Sequence, residues 1–133
     1  MEVLNDLLRI KIYREQKAER ALALAKQRLR IAEGRFSEAK TTLKKFRADS
    51  ARREREMYAE LCARVVLIRE INNVQIDLQL MREREEMLVE DLGKAEAIRD
   101  DASAKEREAR EQHAFSARMR EKFNEMVKAI DDE

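Results

Sequence analysis

The sequence contains no proline, no tryptophan, two glycines and one cysteine, and aromatic residues make up 5% of its 133 positions. Each shortage excludes something. Without proline, the commonest reason for an α-helix to break is missing. A lone cysteine, Cys62, rules out an internal disulfide and fits a reducing compartment. No run approaches the roughly 18 apolar residues of a membrane span, and the start of the chain lacks a signal-peptide core. A cytoplasmic protein is expected. What the chain has in quantity is charge, 43% against 44% hydrophobic residues. That mixture belongs to long helices and coiled coils rather than to thick globular cores. One domain, built around a narrow seam, is the expectation.

Net charge is +1, but it is unevenly spread. Residues 1–63 carry 16 Lys and Arg against 10 Asp and Glu, and residues 64–133 carry 13 against 18. A basic half and an acidic half in one molecule favour their own pairing. The spacing of apolar residues supplies the seam. Steps of four and three from Ala18 reach Leu22, Ala25, Leu29, Ala32, Phe36, Ala39, Leu43 and Phe46. This repeat keeps one stripe facing a partner helix, the basis of a left-handed coiled coil. Leu4, Leu7, Leu8 and Ile12 extend the helix back to about residue 3. A second stripe runs Ile71, Val74, Leu78, Met81, Glu85, Leu88, Leu92, Ala95. Beyond it Arg99, Glu106, His113 and Arg120 interrupt the repeat.

The fold class this predicts is all-α, a long antiparallel two-helix coiled-coil hairpin. Helix 1 covers about 3–62, the turn about 63–67 and helix 2 about 68–131. Asn72-Asn73 and Asp49-Ser50 are rival turn sites. Alanines recur every seven residues in both halves, and small side chains let helix backbones approach closely. Facing alanine with alanine pairs Ala18 with Ala109, Ala25 with Ala102 and Ala32 with Ala95, so that facing numbers add to 127. The same register sets Leu4 against Phe123, Leu8 against Met119 and Leu29 against Ile98. The competing architecture is a homodimer of continuous helices with a scaffolding role.

Little in the sequence points to catalysis. His113 has no second His or Cys at metal-ligand spacing. Cys62 has no histidine near it in sequence to activate it. Glu106, Glu108 and Glu111 are what any Glu-rich helix offers, and no glycine-rich phosphate loop exists. Neither an enzyme nor a cofactor or metal site is expected. Arg52-Arg53-Glu54-Arg55 raises nucleic acid as a ligand, but its arginines alternate with glutamate and no aromatic platform accompanies them. A membrane-surface helix is disfavoured because the polar face carries both signs. Apolar residues in excess of one seam remain at Leu24 and Ile31 and around the turn. Of these Tyr58 and Leu67 are read as partner anchors.

These residues carry a family resemblance. Leu7-Leu8-Arg9-Ile10-Lys11 followed by Arg14-Glu15 and Ala18, then Tyr58-Ala59-Glu60-Leu61 and Glu121-Lys122-Phe123, is similar to the YscO family of type III secretion proteins, relatives of the flagellar export protein FliJ. The match in order and spacing covers almost the whole chain. It departs from the family at the turn, where Ala63 and Leu67 stand in place of Gly and Ser. The resemblance implies a monomeric cytoplasmic stalk at the inner-membrane secretion apparatus, similar to the coiled coil of a rotary ATPase γ subunit. Its implied partners are the secretion ATPase ring, the cytoplasmic domain of the export gate, and secretion chaperones. Carried onto this chain, Leu4, Leu8, Arg9, Lys11 and Phe123 would belong to the ATPase end. Tyr58, Leu61 and Leu67 would belong to the export-gate end.

Overall fold

The computed structural model describes residues 2–132. Two helices, α1 (Glu2–Ala63) and α2 (Ile68–Asp131), pack antiparallel as a hairpin, and no strand occurs among the described residues. The chain turns back after Ala63, so the continuous-helix homodimer is not its architecture. Contacts between the helices group into two units, Met1–Ala32 with Arg99–Glu133, and Glu33–Ile98.

In the first unit the inward positions of α1 keep the four-three step without a break, from Leu4 through Leu8, Lys11, Glu15, Ala18, Leu22 and Ala25 to Leu29 and Ala32. Those of α2 do the same from Arg99 to Val127. The residues that interrupt the apolar pattern in sequence, Arg99, Glu106, His113 and Arg120, all point into the seam. Inward residue meets inward residue throughout when facing numbers add to 131, and among the sums seven apart that do so it is the one the helix ends Ala63 and Ile68 give. Ala18 then lies opposite His113, Ala25 opposite Glu106 and Ala32 opposite Arg99. Leu22 lies opposite Ala109, and Leu29 opposite Ala102. The alanine-on-alanine register is therefore displaced by four. It would set the buried Leu22 against the exposed Lys105 and Leu29 against the exposed Ile98. The physical reason is interdigitation: a small residue leaves room for a long one across the seam, whereas two small residues leave a gap.

Long polar side chains in such a seam need partners, because burying an unpaired charge is costly. Arg120 forks onto Glu15 of α1, its Nε donating to Oε2 at 2.6 Å and its Nη2 to Oε1 at 3.3 Å. The Lys11 ammonium sits 5.2 Å from the centre of the Phe123 ring, a cation–π contact across the helices. Glu106 is buried and accepts from Arg110 Nη2, one turn along α2.

The second unit repeats the plan with more hydrocarbon. Phe36 and Ala39 face Ala95 and Leu92, and the buried Leu43 faces the buried Leu88. Phe46 faces Glu85, whose Oε1 accepts from Arg47 Nε at 2.7 Å. The spacing then changes to four-four-three, through Phe46, Ser50, Glu54 and Met57 on α1, and the half-buried Glu85, Met81, Asp77 and Val74 of α2 follow the same steps opposite them. The two breaks lie opposite one another, so the phase shift of one helix is met by that of its partner.

Residues 64–67 make the turn. No residue there has positive φ, which is why glycine is not required. The Leu67 carbonyl opens α2 by accepting from the amides of Glu70 at 3.0 Å and Ile71 at 3.3 Å. Arg64 ties the two helix ends together, with Nη2 3.4 Å from Glu60 and Nη1 3.1 Å from Glu70. The Glu70 carboxylate also lies in the first turn of α2, where the helix dipole favours negative charge.

Candidate functional site

The turn carries the most open apolar surface in the second unit. Val65 is 98% exposed, Ile68 77%, Leu67 62% and Tyr58 48%. Val66 beside them is half-buried and anchors the link. Large apolar side chains are normally tolerated on a surface singly. Three of them within four consecutive residues form a patch of the sort found at protein contacts. Of the residues assigned to this end from sequence, Tyr58 and Leu67 belong to the open surface. Leu61 is half-buried in the inward stripe. Sequence reasoning picks out Tyr58 and Leu67 but passes over Val65 and Ile68. Their signal was the β-branched run at the helix break, where residues leave the helix and cannot all turn inward.

In the first unit the assigned residues divide by face. Leu4, Leu8, Lys11 and Phe123 are half-buried seam residues. Arg9 is outward, with its guanidinium 3.7 Å from Asp6. The seam beneath is electrostatically tuned. Hydrogen bonds from Arg120 hold the Glu15 carboxyl below the usual carboxylate range; burial opposes them, and electrostatic attraction to Arg120 adds a further lowering. The same bonds to Glu15 raise the Arg120 guanidinium above its ordinary value. These groups form a fork that locks two helices and leaves no free acid or base.

Cys62 is exposed just before the turn. Among the described residues no group of three His, Cys, Asp or Glu is placed to hold a metal ion. Nor is any helix among them long and apolar enough to cross a membrane. The surface depressions are open and lie along the helices, one of them over Asn72, Ile76, Gln79 and Leu80. What the molecule offers a ligand is helix surface.

A family model described as "Type III secretion protein YscO" matches residues 4–133. The fold resembles the crystal structure of type III secretion protein YscO from Vibrio parahaemolyticus, with a TM-score of 0.84 and 18% sequence identity. The alignment covers 96% of this chain and 80% of that one. A comparison with curated protein sequences finds no match. At that identity the solved structure speaks for the fold, while the family model spans the inward stripes of both helices and the turn between them. The chain belongs to the type III secretion protein YscO family.

Proposed function

We propose that this family member is a non-enzymatic connector in the cytoplasm beside the inner-membrane secretion apparatus. In this reading the unit containing Leu4, Leu8, Arg9, Lys11 and Phe123 binds the secretion ATPase. The turn, through Tyr58, Leu61 and Leu67, binds the cytoplasmic domain of the export gate, and secretion chaperones form a third class of partner. The observation that carries it is the exposed apolar turn formed by Val65, Leu67 and Ile68. A solvated link between two helices has no intramolecular use for such side chains. Family membership supplies the machine in which the partners are sought.

Binding of the purified chain to the ATPase and to the gate domain tests both assignments. Arg9→Glu is expected to weaken the first, and Leu67→Asp with Val65→Asp the second, each leaving the other partner unaffected. Leu8→Asp and removal of residues 1–10 extend the first arm, with circular dichroism checking that the seam survives. If both partners bind all these variants as they bind the parent, the assignment of ends is wrong. Light scattering tests the monomeric state, and a stable dimer at micromolar concentration would contradict it.

A further inference from the structure

A second four-three stripe runs along α1, and the hairpin does not use it. In the first unit every position immediately before an inward residue falls on it. Six of those nine positions are apolar, namely Val3, Leu7, Ile10, Ala21, Leu24 and Ile31. The other three are Arg14, Lys17 and Arg28, and none is acidic. All nine side chains are exposed, Leu24 at 47% and Ile31 at 48%. Packing within the hairpin therefore does not account for Leu24 and Ile31. A displacement of one residue rotates this stripe by roughly 100° about the helix axis. A third helix laid along it would leave α2 undisturbed. Because the helices are antiparallel, the corresponding positions of α2 come to the same side. There the exposed Phe115 and Met126 and the half-buried Met119 widen the apolar face.

We propose that this face binds an amphipathic α-helix of another protein, one with its own four-three apolar stripe flanked by Asp and Glu. Two observations select that occupant. Spacing of four and three is read by a helix, since only a helix returns its side chains to one line at that interval. Charge selects the sign: the stripe carries three cations and no anion, and among the described residues none of the three cations has a carboxylate partner. A second copy of this chain fits poorly. The stripe against itself brings Arg14, Lys17 and Arg28 onto like charges. Against the corresponding stripe of α2 it meets Lys105 and Lys122 as well as Asp101 and Glu108, so the charges give no net attraction. This face is open whichever machine parts the two ends of the connector bind.

The test uses the full chain and a synthetic helical peptide of about four heptads, with Leu and Ile at the four-three positions and Glu beside them. A twin peptide carries Lys in place of Glu. Leu24→Gln with Ile31→Gln removes the apolar contact while keeping every charge, and both sites are exposed, so the thermal midpoint of the hairpin should not move. Fluorescence anisotropy should show the acidic peptide binding, weakening as salt is added, and the basic twin failing to bind. The double variant should weaken the acidic peptide by at least about tenfold. Acidic-peptide binding indifferent to the double variant, or no binding of that peptide, overturns the proposal. So does self-association abolished by the same two changes, which would make the occupant a second copy. Sedimentation with anionic lipid vesicles that is lost in the variant and not competed by the peptide would make it a lipid surface.

Discussion

Truncating Leu43 to alanine tests the register of the seam most directly. Leu43 and Leu88 are both buried and face one another where facing numbers add to 131. Shortening Leu43 removes three carbons from a side chain only 4% exposed. At about 0.8 kcal/mol per buried methylene the loss is about 2–3 kcal/mol. That is the low end for core leucines, because neighbours on a two-helix seam can close over the gap. Unfolding entropy of about 2.1 cal/mol/K per residue makes this a fall of about 7–11 °C in Tm for 133 residues. Thermal and urea unfolding followed by circular dichroism would measure it. The decisive step is a double-mutant cycle. Leu43→Ala and Leu88→Ala should be non-additive by at least about 0.5 kcal/mol. Leu43→Ala and Arg84→Ala, the pair that the alanine-on-alanine register would bring together, should add. The reverse pattern would refute the register.

Three further outcomes are expected. Glu106→Leu should raise stability by about 1–3 kcal/mol, since the Glu106 side chain is 7% exposed while its partner Arg110 is free to rejoin water. A fall in Tm would show instead that the carboxylate holds the layer together. The Glu15 carboxyl is held low in the folded chain by Arg120. Its contribution is therefore complete above the ordinary carboxylate range and lost as pH falls through the lowered value. The Tm difference between the parent and Glu15→Gln should be largest near neutrality and vanish in strong acid. A difference independent of pH would contradict that account. Gly34→Ala introduces a methyl into open space in mid-helix and should stabilise by about 0.8–1 kcal/mol, measured by urea unfolding. A loss would mean that the site is occupied in solution.

The hairpin was legible in the sequence because two stripes of the same spacing need each other. The opposite charge of the two halves added direction to the pairing. The register departs from the alanine-on-alanine expectation for a definite physical reason. Recurring alanines suggest pairing by likeness, whereas a seam packs by complement. The clue lay in the residues that looked like flaws. Arg99, Glu106 and His113 recur every seven positions, as do Ala32, Ala25 and Ala18 opposite them. The exposed valine and isoleucine at the turn were harder to read. Nothing local distinguishes Val65, almost wholly in solvent, from Val66, which is half-buried. Their difference arises from the path of four non-helical residues. The second stripe of α1 was visible only as two stray residues, Leu24 and Ile31. The second stripe is a copy of the first shifted by one residue, so its meaning depends on which stripe faces α2.

The ladder of alanines opposite polar residues has a further consequence, because it repeats. Sliding one helix by seven positions would bring Ala18 to Arg120, Ala25 to His113 and Ala32 to Glu106. Each alanine would again shelter a long polar chain. Such a ladder recognises its counterpart but cannot count rungs. Counting falls to features that occur once: the Glu15–Arg120 fork, the Arg47–Glu85 pair, the facing changes of step, and the Arg64 tie across the turn. Weakening those singular contacts, rather than the periodic ones, would free the helices to exchange neighbours in strides of about 10 Å.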